Sequence, residues 1–175
     1  MEPVSKTIDW FGRQITLTWI ESHDSSELLK YFPITQCYSI CFNNRGEILI
    51  LDQEGKGEWT LPGGTVEEEE TPRETLDREI FEEADVTVAD VQLLGVQRVE
   101  DPQNSDAHKH THYQARYVAL VDQVLPQTPD PAKNRIHERS FIPSSEVTKY
   151  IKWGITGEAI FASAIELFKS KHSRV

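Results

Sequence analysis

Glu79, Glu82 and Glu83 lie within the segment Thr71-Pro72-Arg73-Glu74-Thr75-Leu76-Asp77-Arg78-Glu79-Ile80-Phe81-Glu82-Glu83-Ala84, and their spacing is what could do chemistry. The segment opens with a helix-start signature: Thr71 as N-cap, proline at the first helical position, and Glu74 closing a capping box. A helix is therefore predicted from Pro72 to Ala84. At ~100° per residue the glutamates share an arc of about 100° on one open face, while Leu76, Ile80, Phe81 and Ala84 fall on the side that must be buried. Carboxylates a few ångströms apart repel one another, so such a cluster either raises a pKa or recruits a cation. Hard oxygen ligands in that number suit Mg²⁺ or Mn²⁺, which bind through a few carboxylates, keep waters and take phosphate oxygens from a substrate.

The elements around the helix fit that purpose. Gly63-Gly64, after Trp59-Thr60-Leu61-Pro62, lets the backbone turn sharply and brings a bare carbonyl close to a cation. A solvated acidic face is the alternative reading of a Glu-rich helix. That reading requires neither the Gly-Gly turn, nor the capping box, nor the position of Arg78. The register of the whole segment is Gly64, five residues, Glu70, seven residues, Arg78-Glu79-Ile80, one residue, Glu82-Glu83. It resembles the Nudix box, and it meets every fixed position of that motif except one: Asp85 stands where the second glycine belongs.

The resemblance is local, strong over residues 59–86, and implies an α/β (α+β) architecture, the Nudix fold, in which a mixed β-sheet is sandwiched between helices. It implies hydrolysis of the phosphoanhydride of a nucleoside diphosphate linked to another moiety: a nucleotide sugar, an ADP-ribose-like compound, or a nucleoside triphosphate, oxidised ones included. Carried onto this chain, the Gly64 carbonyl and Glu79, Glu82 and Glu83 would ligate Mg²⁺, and Arg78 would hold the glutamates, with Glu70 as intermediary. The general base would be a box glutamate or a later acid, with Glu138 and Glu100 the nearest candidates. Asp85 would sit just past the helix end in the left-handed region, which Asp tolerates better than most residues. On that reading Asp85→Gly is neutral or slightly stabilising. A non-catalytic module of the same fold that senses a nucleotide metabolite is the alternative, but such modules usually lack the Glu-Glu pair.

Composition narrows the partners. The chain has 175 residues, 38% apolar and 27% charged, the size of one domain over 1–175 with an N-terminal hairpin extension at about 1–35. Of the net charge of −11, residues 67–85 contribute −8 through ten acids and two arginines. Acidity so concentrated argues against a duplex nucleic-acid partner, which needs a basic face, and against an acidic interaction protein without chemistry. No apolar run approaches the ~18 residues of a membrane span, and Met1 to Lys6 lacks the layout of a signal peptide. A cytoplasmic enzyme acting on a small-molecule nucleotide is expected. Cys37 and Cys41, four apart on a strand, would be roughly 13 Å apart, too far to bridge, and read as buried reduced thiols.

Period-2 patterns predict a hairpin from Thr7–Phe11 and Gln14–Ile20, which could pair with a second subunit as a homodimer. Asp24 caps a short helix. Strands are predicted over Gln36–Phe42 and Glu47–Leu51, joined by the turn Asn43-Asn44-Arg45-Gly46, and over Val91–Val99 and His112–Val121. Gln123–Asn134 reads as a loop, Arg139–Pro143 as a short strand feeding a small helix, and a final helix capped by Thr156 buries Ile160, Phe161, Ala164, Ile165 and Phe168. His108, His110 and His112 alternate as a strand-borne metal site would, yet their surroundings read as a polar loop. Trp59, Trp153, Tyr113 and Tyr117 are candidate base-stacking surfaces, with core packing as the alternative.

Overall fold

A computed structural model describes residues 2–53 and 55–172. The elements in chain order are β1 (Val4–Trp10), β2 (Arg13–Glu21), β3 (Ile34–Phe42), β4 (Glu47–Asp52), β5 (Trp59–Thr60), β6 (Gly63–Thr65), α1 (Pro72–Ala84), β7 (Val86–Glu100), β8 (Thr111–Val124), β9 (Glu138–Pro143), α2 (Val147–Tyr150) and α3 (Gly154–His172). Nine strands form one mixed sheet in the order β1-β2-β7-β8-β3-β4-β5, with β6 added beside β3 and β9 beside β4. The β3–β8 pair is parallel and the rest are antiparallel. The Asp24 cap is present, although the turn it opens, Ser25–Lys30, is a 3-10 helix.

Strand alternation divides the core between two faces. Cys37, Cys41, Leu49, Leu51, Ala115, Tyr117 and Ala119 pack with Leu76, Ile80 and Ala84 of α1. Their neighbours Ile40, Phe42, Ile48, Ile50 and Val118 turn the other way, against Ile160, Phe161 and Ala164 of α3. The result is the helix–sheet–helix sandwich that the resemblance implies, and each fully buried aliphatic side chain contributes about 1.5–3 kcal/mol. Both cysteines are free and buried, and burial pushes their thiols up to about 12.

The expected hairpin is formed by β1 and β2 and joins the sheet, since β2 pairs with β7 from Thr16↔Glu100 to Glu21↔Gly95 and its Trp19 is fully buried in the core. Other expectations are corrected in detail. The last helix starts at Gly154, not after Thr156, which lies buried in its first turn with its hydroxyl donating to the Trp153 carbonyl at 3.5 Å. On α1, Phe81 is 49% exposed and Glu83 is 5% exposed, the reverse of the expected faces. Helical geometry explains the exchange: relative to Leu76, Glu83 lies about 20° away and Phe81 about 140°. Tyr117 is core, and Tyr113 packs on Tyr31 at 5.2 Å.

Candidate active site

α1 begins as its sequence requires. Thr71 Oγ1 accepts from the Glu74 amide at 3.3 Å, and the Glu74 carboxylate accepts from the Thr71 amide at 2.9 Å. Asp85 closes the helix in the left-handed region, φ 48° and ψ 47°, its amide donating to the Phe81 carbonyl. These ends hold α1 across β6. There, a β-carbon on Gly64 would lie 2.3 Å from a carboxylate oxygen of Glu79, so only glycine allows this approach. Gly63, at φ +144°, has a β-carbon excluded by the backbone of Cys37 and Tyr38.

Arg78 organises the acids. Its Nε and Nη2 donate to the two oxygens of Glu70 at 2.7 and 2.9 Å, and its Nη1 donates to Glu79 at 2.9 Å and to Glu82 at 3.3 Å. The Arg78 hydrogen bonds, followed by one from Thr75, hold the Glu70 carboxyl down at about 2, and Arg78 is itself raised. Glu79 and Glu83 move the other way. Burial raises both, and Arg78 for the first, the Gly63 amide and Lys133 for the second, offset it only in part. Glu83 accepts from the Gly63 amide at 3.1 Å, from the Gln53 side-chain amide, and from Lys133 at 3.3 Å.

Gly64, Arg78, Glu79, Glu82 and Glu83 thus line one cleft of about 350 Å³. The structure adds residues to it that sequence reasoning missed. Asp130, from the loop after β8, lies with Glu83 and His137 so that one ligand atom from each falls within 4.8 Å of the others. His137 is fully buried between two acceptors, the Asp130 carboxylate at 2.7 Å from Nε2 and the Gln53 carbonyl at 3.1 Å from Nδ1. Burial works against the Asp130 carboxylate, but His137 and the amides of Lys133 and Ala132 outweigh it and the net shift is downward. The cluster exists because β9 pairs with β4, Asp52↔Glu138, which sets residue 137 opposite Gln53. No local pattern marks Asp130 among the other acids; the nearest signal is its place in a turn-rich loop beside a proline.

The same register turns Glu138 outward. It is exposed at the start of β9 and does not line the cleft. Glu100 ends β7 beside Arg98, 3.2 Å away, also outside it. His108, His110 and His112 form no metal cluster among the described residues, and His110 Nε2 contacts the Asn104 carbonyl at 3.0 Å. The Asp85 carboxylate is not in the cleft either. It is buried and accepts from the Thr128 amide at 2.7 Å and the Thr128 hydroxyl at 2.8 Å, tying the Asp130 loop to the end of α1.

The donor set fits a hard divalent cation. Desolvated carboxylates from two turns of one helix converge with a close glycine backbone, and among the described residues only Arg78 and Lys133 balance them within the cleft. The mixed sheet, the capped helix α1 and the carboxylate cleft together make up the architecture of this chain. The NUDIX domain family matches residues 36–161, and the chain belongs to that family. Among its relatives is an RNA pyrophosphohydrolase of Vibrio atlanticus (strain LGP32), 36% identical over 59 residues, or 34% of each chain. That of Halorhodospira halophila (strain DSM 244 / SL1) is 42% identical over 59 residues, 34% of this chain and 33% of its own. The match thus spans about a third of the length of these relatives. The Bacillus subtilis pyrophosphohydrolase BsRppH superposes with a TM-score of 0.65 at 19% identity, over 93% of this chain and 97% of its own. The NUDIX domain of Shewanella oneidensis NrtR, solved with ADP ribose, gives 0.58 at 17% identity, over 84% and 99%.

Proposed function

We propose that this chain is a Mg²⁺-dependent pyrophosphohydrolase that cleaves the phosphoanhydride of a nucleoside diphosphate or triphosphate unit. The observation that carries the reading is the set of converging acids: Glu79 and Glu82 held by Arg78, Glu79 lying against Gly64, and Glu83 held on the Gly63 amide. Bound among them, the cation would screen the diphosphate charge and acidify the attacking water. Arg78, itself clamped by Glu70, holds Glu79 and Glu82 in position ahead of substrate. Lys133 lies at the cleft, 3.3 Å from Glu83, within reach of a phosphate oxygen. The proton acceptor for water belongs to the acids that line the cleft, the box glutamates and Asp130, rather than to Glu138. The intact glutamate pair supports catalysis over a sensing role.

The test is a substrate panel with Mg²⁺: ADP-ribose, nucleotide sugars, nucleoside triphosphates, 8-oxo-dGTP and a 5′-triphosphorylated oligoribonucleotide, the last prompted by the relatives' names. Products are resolved as monophosphate, phosphate or pyrophosphate. Cleavage of at least one, abolished by chelation, is the expected result; tight binding with no turnover of any member would instead point to a sensor. In the same assay Glu138→Gln should retain wild-type turnover while Asp130→Asn loses at least about tenfold. The opposite pattern would return the base to the exposed loop.

A further inference from the structure

A second cavity, about 460 Å³, opens beside the acidic cleft and shares Tyr38 and Thr60 with it. Its charge is opposite. Lys6, Arg116 and Lys152 line it, and no acid among the described residues does. Arg116 is 2% exposed and has no carboxylate partner among the described residues: its Nη2 donates to the side-chain oxygens of Gln97 and Gln114 at 2.8 and 2.6 Å, its Nη1 reaches the Ala115 carbonyl only at 3.4 Å, and its Nε has no hydrogen-bond partner among them. Tyr38 and Trp153 flank the guanidinium at 4.6 and 5.5 Å from their ring centroids, a contact that partly compensates a buried cation but does not neutralise it.

Two further features add positive potential. Lys6 and Lys152 have no ion pair among the described residues, and a β-carbon on Gly154 would meet the Lys6 ammonium at 2.5 Å, so this cation lies against the first residue of α3. That helix has no acid in its first turn, leaving the positive end of its dipole uncompensated where Lys6 already stands. A fold that gathers a buried arginine, two lysines and a helix start without one carboxylate has arranged for an anion to arrive.

We infer that this cavity is a subsite for a phosphate group of the substrate other than the anhydride that is cleaved, held by Lys6, Arg116 and Lys152 with Trp10 and Trp153 beside the ring that carries it. The inference rests on the hydrolytic reading and adds to it a substrate class: a nucleotide with anionic groups at both ends of the nucleoside. Geometry allows one molecule to fill both cavities. Gly63, beside the acids, pairs with Tyr38, which pairs with Arg116, so two strand spacings, about 10 Å, separate the backbones at the two cavities, which meet at Tyr38 and Thr60. A phosphomonoester on the sugar and the phosphodiester that follows the first nucleoside of an oligonucleotide present the same chemistry.

Two measurements test it. With divalent ions chelated, calorimetry compares adenosine 3′,5′-bisphosphate with adenosine 5′-monophosphate, and the guanosine pair likewise. At least about tenfold tighter binding of one bisphosphate is expected, falling toward parity in Lys152→Gln and in the Lys6→Gln, Lys152→Gln double variant. Equal binding of both members of each pair, or a preference that survives the double variant, overturns the inference. With Mg²⁺, ATP, its 3′-phosphorylated form and a 5′-triphosphorylated dinucleotide are then compared by kcat/KM. A gain confined to the 3′-phosphorylated nucleotide identifies a phosphomonoester as the natural occupant, and a gain confined to the dinucleotide identifies a phosphodiester. If nothing is hydrolysed but the binding ratio holds, the hydrolytic reading fails and the subsite stands. Should all three be cleaved equally with no binding ratio, the hydrolase stands without the subsite.

Discussion

Glu83 holds the sharpest tension in the molecule, a carboxylate kept 5% exposed among other acids. Burial raises its pKa despite Lys133 at 3.3 Å, so at neutral pH its charge costs stability unless a further cation shares it. Glu83→Gln keeps the shape and most hydrogen bonds while removing that charge. Turnover should fall by orders of magnitude, the metal-free protein should melt at a higher temperature than wild type, and the rise in melting temperature on adding millimolar Mg²⁺ should shrink. Calorimetric melts with and without Mg²⁺ check all of this. A variant with near wild-type activity would show that the face has another task. Asp85 revises the sequence expectation. Relief of the left-handed strain by glycine is worth about 0.5–1 kcal/mol. Losing both hydrogen bonds to Thr128, with an amide left unsatisfied, costs roughly 1–3 kcal/mol. Asp85→Gly should therefore lower urea-unfolding stability by about 1–2 kcal/mol and expose the segment around Thr128 to proteolysis. An unchanged midpoint would restore the neutral reading.

At the scale of the element, α1 is a rigid ruler whose two ends are set by sequence-local chemistry and whose side is set by Arg78. The Glu70 clamp gives this a pH signature. The ordinary value for this glutamate is 4.5, and it is held at about 2 in the fold. Its contribution is therefore complete above pH ~4.5 and is lost as the pH falls toward about 2. Glu79 and Glu83, raised by burial, act in the opposite direction: protonation relieves them, so their cost fades as the pH falls. Comparing wild type with Glu70→Gln separates the two effects. The stability difference between them should be greatest near neutrality and narrow steadily between pH 4.5 and 2; a gap that is constant across that window would mean the clamp contributes nothing through charge.

For the whole molecule, the hairpin decides both the core and the second cavity. β2 covers the edge of β7 and delivers fully buried Trp19, while Lys6, Ile8 and Trp10 of β1 share one side of the sheet and line the cavity. Removing residues 1–22 would bare a long edge and open the core where an indole had been, a loss of at least about 3–5 kcal/mol from that side chain alone. The truncated chain should aggregate or melt far below the intact protein. A soluble, cooperatively folding truncation with unchanged melting temperature would show the hairpin to be a mere appendage.

How much of this was legible in the residues follows from the range of each interaction. Thr71 to Glu74, the 3.6-residue period of α1, the turn from Asn43 to Gly46 and the two-residue alternation of β3 and β4 are decided within a few residues, and the sequence alone determined them along with the carboxylate face and its family register. Even the exchange of Phe81 and Glu83 follows from helical angles once Leu76 is taken as the centre of the buried stripe. Asp130 and His137 were not legible, because they join Glu83 through the β4–β9 register and the Asp85–Thr128 tie, across some fifty residues of chain. The outward turn of Glu138 comes from that same register. Arg116 and Lys6 likewise lie on strands distant in sequence and meet only when the hairpin joins the sheet. Local hydrogen bonds and periodicity write the elements into the chain; which side chains converge on a cavity depends on strand pairing between distant segments, and only the tertiary structure decides that.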